Sequence, residues 1–210
     1  MFRLSALGLL VASVAVAAPV PKGTEAKLYY PTTVGAKRVM TLTAGQRTEE
    51  DSETVSQVEV KDGVYRVTVD LHTDGHRTTP GYVYEVSADG LGQRSSEQAK
   101  GSTSNPLLRL TVGVGESWVA RQDGSEHYAT LTRGKEEEIE LPAGKFTAIR
   151  VDVVITRGKD TNRVTQWYAA GVGLVKEAAQ RGELTITREL KEFNPGKGEK
   201  KDEPKPDKGK

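Results

Sequence analysis

Thr147-Ala148-Ile149-Arg150-Val151-Asp152-Val153-Val154-Ile155 is the stretch whose reading decides the fold. Ile149, Val151, Val153 and Ile155 fall on every second position, with Arg150 and Asp152 between them. A period of two is that of a half-buried strand, one face apolar and the other wet. Its β-branched residues suit a pleated, half-buried surface. Upstream, Pro142-Ala143-Gly144-Lys145-Phe146 places proline early and glycine late, which is the chemistry of a type I or II turn. Downstream, the segment from Gly158 to Asn162 reads as a hairpin turn, across which the strand from Lys145 to Thr156 pairs with Val164-Thr165-Gln166-Trp167-Tyr168.

The same alternation recurs at Tyr65–Leu71, Tyr82–Val86, Leu108–Val112 and Leu184–Ile186. Turn signals separate these runs at Lys61-Asp62-Gly63, Ala88-Asp89-Gly90, Gln122-Asp123-Gly124 and Arg157-Gly158-Lys159-Asp160. No long segment shows a capped helical period, and Glu177–Gln180 could form at most one helical turn. The pattern predicts an all-β domain of roughly nine to eleven antiparallel strands at the usual strand-plus-turn spacing. Sequential hairpins favour a meander, and so a strongly curved antiparallel sheet or a partly closed barrel. Ser95–Asn105 and Arg47–Ser56 are polar and aperiodic. Both read as connections, the second as an exposed hairpin tip.

The chain's beginning reads as an export signal. Arg3 is followed by an apolar run from Leu4 to Val16, and Ala15-Val16-Ala17 fits the small-x-small rule for cleavage. The expected organisation is a signal peptide over 1–17, a single β domain over 24–193 and a tail over 194–210. The run is short against the ~20 apolar residues of a span, so no transmembrane segment is expected after cleavage, and the location is exported, periplasmic or secreted. With Cys 0, the domain must be held by packing and hydrogen bonds although export leads to an oxidising compartment. The tail has six lysines against four acids and nothing apolar to bury. It reads as a solubilising segment of mixed charge; the other reading is an electrostatic tether to an anionic envelope surface. Lys+Arg 30 against Asp+Glu 29 gives +1, or 0 without Arg3. No basic stripe with interleaved aromatics argues for nucleic acid.

Chemistry is sparse. His72 and His76 flank Thr73-Asp74-Gly75, so a hairpin would put the rings on opposing strands, and their spacing matches no metal-ligand pattern. Gly115-Glu116-Ser117-Trp118 lacks the glycine that a nucleophile elbow has after its serine. Glu136-Glu137-Glu138 and Glu140 read as a solvated edge that blocks strand-to-strand association. Gly171-Val172-Gly173 lacks the third glycine and the helix of a dinucleotide site. It reads as a bulge or tight bend where another backbone or a large ring comes close. Nothing calls for a cofactor or a metal. The candidate site residues are the aromatics Tyr82, Tyr84, Trp118, Phe146, Trp167 and Tyr168. They either wall a pocket on the concave face or fill the core beneath it, and Trp118 and Trp167 read as core.

Four segments in order carry a family likeness: Tyr30-Pro31 with Gly35, Gly115–Trp118, Pro142–Phe146, and Trp167-Tyr168-Ala169-Ala170-Gly171-Val172-Gly173-Leu174-Val175-Lys176. From about Tyr29 to Leu190 the chain resembles exported bacterial β-rich proteins of unknown function of the DUF3108 type. The resemblance implies the curved-sheet, half-barrel architecture of the LolA and LolB lipoprotein carriers, without their function. The expected function is an exported, non-enzymatic binding or envelope-associated protein holding an apolar or lipid-like ligand, or a partner's apolar segment, on the concave face. The alternatives are a structural or interaction module of the cell envelope and a hydrolase using carboxylates or histidines.

Overall fold

Alternation at Ile149, Val151 and Val153 puts these side chains on one face, and all three are buried there. A computed structural model describes residues 27–73, 76–95, 104–121 and 127–197. Among them are twelve strands: β1 (Lys37–Ala44), β2 (Arg47–Lys61), β3 (Val64–Thr73), β4 (His76–Ser87), β5 (Gly90–Ser95), β6 (Asn105–Arg109), β7 (Ser117–Arg121), β8 (Tyr128–Leu141), β9 (Gly144–Arg157), β10 (Asp160–Ala169), β11 (Gly173–Arg181) and β12 (Leu184–Asn194). All lie in one antiparallel sheet in the order β6-β5-β4-β3-β2-β1-β12-β11-β10-β9-β8-β7. The protein is therefore all-β, a meander curled into a nearly closed barrel. The first and last strands pair with each other from Lys37↔Asn194 to Ala44↔Ile186. The one break in the ladder falls in mid-chain, where β6 and β7 are both edges.

Side chains cross that seam where the ladder does not. Trp118 Nε1 on β7 donates to the Pro106 carbonyl on β6 at 2.9 Å. Arg133 on β8 donates to the carbonyls of Leu110 and Val112 in the β6–β7 connection. That connection also returns the Gly115 amide to the Arg133 carbonyl at 2.7 Å.

The turns follow their sequence signals. Asp62 and Gly63 both take positive φ, 52° and 77°, as a two-residue hairpin of mirror-image type requires. Pro142-Ala143 turns β8 into β9, and the Ala143 amide reaches the Leu190 carbonyl at 3.3 Å. Gln122-Asp123-Gly124 lies outside the described residues, as do residues 1–26, 198–210 and most of Ser95–Asn105.

Four expectations need correction. The strands number twelve rather than nine to eleven among the described residues. Arg47–Ser56 is no hairpin tip: it opens the fifteen-residue β2. Its alternate positions Asp51, Glu53 and Val55 pair with β1 and β3, so its polarity hid a strand whose inward positions are charged. Glu177–Gln180 is not a helical turn but part of β11, where Ala178 and Ala179 face Thr187 and Ile186 of β12. The strand signal at Leu108–Val112 ends at Arg109, because the Leu110 amide turns to the Asp89 carbonyl at 2.8 Å.

The main apolar cluster runs from Val67, Val69 and Val86 to Leu131, Val151 and Tyr168. Burying each valine or leucine fully stabilises the fold by about 1.5–3 kcal/mol. A smaller cluster gathers Leu141, Ala143 and Phe146 of the β8–β9 turn with Met40, Val175, Leu190 and Phe193.

Candidate functional site

Arg38 and Glu53 are opposite partners on β1 and β2, so their side chains leave the sheet on the same face. They form an ion pair whose side chains are only 4% and 5% exposed. Around it the lining of a cavity of about 310 Å³ is assembled. Tyr30, just before β1, donates its hydroxyl to Glu53 Oε2 at 2.8 Å, and Tyr84 of β4 donates to Oε1 at 3.3 Å. The two tyrosine rings stack at 4.1 Å. The Arg38 guanidinium lies 4.8 Å over the Tyr30 ring and donates to the Val172 and Leu174 carbonyls at 3.2 and 3.0 Å.

This enclosure sets the charges. Burial pushes the Glu53 carboxyl up, but the Arg38 charge and the hydrogen bonds from Arg38 and Tyr30 outweigh it and hold the carboxyl below its ordinary value. Burial opposes charge on Arg38 too, yet Glu53 overcomes it and keeps the guanidinium firmly protonated. The Tyr30 and Tyr84 hydroxyls are pushed well up, first by burial and then by the Glu53 charge.

A second pair completes the charged part of the wall. Arg188 of β12 grips Asp51 of β2 as a fork, Nε to Oδ2 at 3.1 Å and Nη2 to Oδ1 at 2.5 Å. On the far side a relay runs from the Tyr168 hydroxyl to Gln166 Oε1 at 2.8 Å, and from Gln166 Nε2 to Glu177 Oε2 at 2.7 Å. The Tyr168 hydroxyl is raised by burial first and by the Glu177 charge second. Leu71, Leu91, Leu107 and Leu174 supply the apolar wall. The cavity is thus amphipathic.

The six candidate aromatics divide. Tyr82, Tyr84 and Tyr168 line the cavity; Tyr82 is 36% exposed and meets Tyr84 edge-on at 6.3 Å. Trp118 is buried in the main cluster and latches the seam. Phe146 and Trp167 pack against the smaller cluster, away from the cavity lining. Trp167 donates to Glu137 at 3.0 Å and lies under Lys176 at 5.8 Å. Sequence reasoning missed Arg38, Asp51, Glu53, Glu177 and Arg188. The available signal was alternation itself: Asp51, Glu53 and Val55 share one face.

The glycine motif has both features expected of it. Opposite Trp167 and Tyr168 the ladder skips Val175, a bulge. A Cβ added at Gly173 would lie 2.9 Å from the Tyr30 ring and from Arg38 Nη1. The Gly171 amide meets the Leu28 carbonyl at 2.6 Å. His72 and His76 lie on β3 and β4, both exposed. Among the described residues no group of three or more His, Asp or Glu is placed to hold a metal ion. Glu136–Glu140 lies on the part of β8 that pairs with β9 but extends past the β7 ladder, which ends at Ser117↔Thr132.

No family model matches the chain, and no curated protein does. Two solved structures are similar in fold. One is a Bacteroides fragilis protein inferred to be exported, with a YmcC-like fold: TM-score 0.56, 14% identity, covering 80% of this chain and 99% of that one. The other is a Parabacteroides distasonis protein inferred to be a lipoprotein: TM-score 0.54, 16% identity, covering 81% and 100%. At these identities the likeness is one of fold.

Proposed function

We propose that this protein is an exported, non-enzymatic binding protein of the cell envelope that receives a small amphipathic molecule inside its barrel. The observation that carries the reading is the amphipathic cavity of about 310 Å³, at the lower end of the ~300–1,000 Å³ of ligand pockets. A ligand that is lipid-like in having an apolar body would lay it against Leu71, Leu107 and the tyrosine rings and turn a polar head to the charged wall. Export is supported by the signal-like start and by fold neighbours inferred to be exported or lipoproteins. The ordered motifs from Tyr30 to Lys176 support kinship with the exported β-rich group named above.

The cavity also gathers three carboxylates, Asp51, Glu53 and Glu177, the grouping a hydrolase would need. Two of them are engaged by guanidiniums. Glu53 is held ionised, so it has no proton to give a leaving group. That favours binding over catalysis. Native mass spectrometry of protein purified without detergent, with displacement of a fluorescent amphiphile, tests the proposal. A saturable, displaceable probe is expected; protein that is always empty and binds no amphiphile overturns it.

A further inference from the structure

We infer that the ligand is a small organic monocation, received by Glu177 and by the faces of the cavity tyrosines; this rests on the binding reading above. The lining holds three carboxylates against two guanidiniums. Both guanidiniums are neutralised by carboxylates, although the buried Arg38 Nε meets no hydrogen-bond acceptor among the described residues. Arg38 gives itself to Glu53 and two backbone carbonyls. Arg188 stands directly across the ladder from Glu177, but its fork is turned to Asp51. Among the described residues, Glu177 has no cation within ion-pair distance and accepts only the neutral Gln166 amide. The carboxylate left over is therefore one negative charge at the edge of a partly enclosed space, where charge is screened less than in bulk water.

The other lining groups suit a cation as well. The Tyr82, Tyr84 and Tyr168 rings share the cavity with Glu177, and the face of a tyrosine attracts a positive charge. Tyr30 already does so within the same wall, with Arg38 as its cation. An anion would find no positive charge among these residues that a carboxylate does not already neutralise. A neutral amphiphile would leave Glu177 partly desolvated with no compensating charge.

The experiment compares choline with 3,3-dimethyl-1-butanol, its neutral isostere with carbon in place of nitrogen, and with propanesulfonate as the anionic probe. Binding to the full chain is followed by calorimetry and by saturation-transfer NMR. Choline is expected to bind roughly ten- to a hundredfold more tightly than the isostere, the worth of a hydrogen bond or contact to a charged group. Glu177→Gln should bring choline down to the level of the isostere measured on the same variant. Equal binding of choline and isostere by the wild type overturns the cation inference and leaves cavity binding standing, without recourse to any variant. Preference for the sulfonate overturns it too. If none of the three binds and no amphiphile does either, both readings fall.

Discussion

Replacing Glu53 by glutamine isolates the charge at the centre of the cavity wall. The amide still offers an oxygen to Tyr30 or Tyr84, so the change falls on the guanidinium of Arg38, whose side chain is 4% exposed. Removing one partner of a buried ion pair costs about 3–5 kcal/mol, because the other charge is left buried without compensation. For a domain of this size ~1 kcal/mol moves Tm by ~2–4 °C, so E53Q should melt roughly 6–20 °C below wild type at neutral pH. Thermal and urea unfolding followed by far-ultraviolet circular dichroism measure this. The pH dependence has a definite sign. The Glu53 carboxyl is held low in the fold, so its contribution is complete above the unfolded value of about 4.3 and is lost as pH falls through the folded value. The gap between wild type and E53Q should therefore narrow in acid. Arg38→Met combined with E53Q should cost less than the sum of the two single changes by roughly 1–3 kcal/mol. A single variant within ~1 kcal/mol of wild type, or additive single costs, would refute the argument that this pair is coupled.

Three further outcomes are expected. Trp118→Phe keeps the ring but removes the hydrogen bond across the seam. It should cost about 0.5–1.5 kcal/mol and accelerate amide exchange in Leu107–Arg109 more than in β3. In alkali, Tyr30, Tyr84 and Tyr168 should resist ionisation in the fold. Stability should be intact below pH ~10, the unfolded phenol value, and fall above it, with phenolate absorbance from these residues appearing together with unfolding. Gly173→Ala puts a methyl into the Tyr30 ring and Arg38 at a φ of +91°, whereas Gly171→Ala, at +73°, meets nothing within 4 Å. The first should cost well over the ~1–2 kcal/mol of left-handed strain expected for the second, as read from urea midpoints.

Most of the architecture was legible because period two is obeyed where one face is apolar. β9 shows it from Ile149 to Ile155, and the Asp62-Gly63 and Pro142–Gly144 turns announce themselves by backbone chemistry. What stayed hidden was any strand whose inward positions are charged. β2 carries Asp51 and Glu53 toward the cavity, and hydropathy cannot tell such a strand from a solvated loop. Of its partners, Arg38 sits on the neighbouring strand and Arg188 lies 137 residues from Asp51, and both are matched to it only by register. Glu177 was disguised likewise, beside alanines that mimicked a helical turn. Sequence read Trp118 and Trp167 as core but could not separate, among the other aromatics, those that wall a pocket from those that pack. That separation depends on which end of the curled sheet each reaches.

The position of the seam makes the molecule divisible. The first six strands and the last six share the apolar core and the cavity wall, but in the sheet they are joined by the long β1–β12 ladder and, at the break, by a handful of side-chain bonds and the connection from Leu110 to Glu116. A nick between Gly113 and Val114 severs covalent continuity at a point where no strand pairing is lost. The two polypeptides so produced would hold together through the terminal ladder and would divide the cavity wall between them, with Tyr30, Arg38, Glu53 and Tyr84 on one and Tyr168, Glu177 and Arg188 on the other. The first fragment would keep the buried Arg38–Glu53 pair, but each would lose one half-buried partner: Asp51 would lack Arg188, and Arg188 would lack Asp51. The barrel is in this sense a natural candidate for fragment complementation, in which rejoining the halves and restoring the binding chamber are one event.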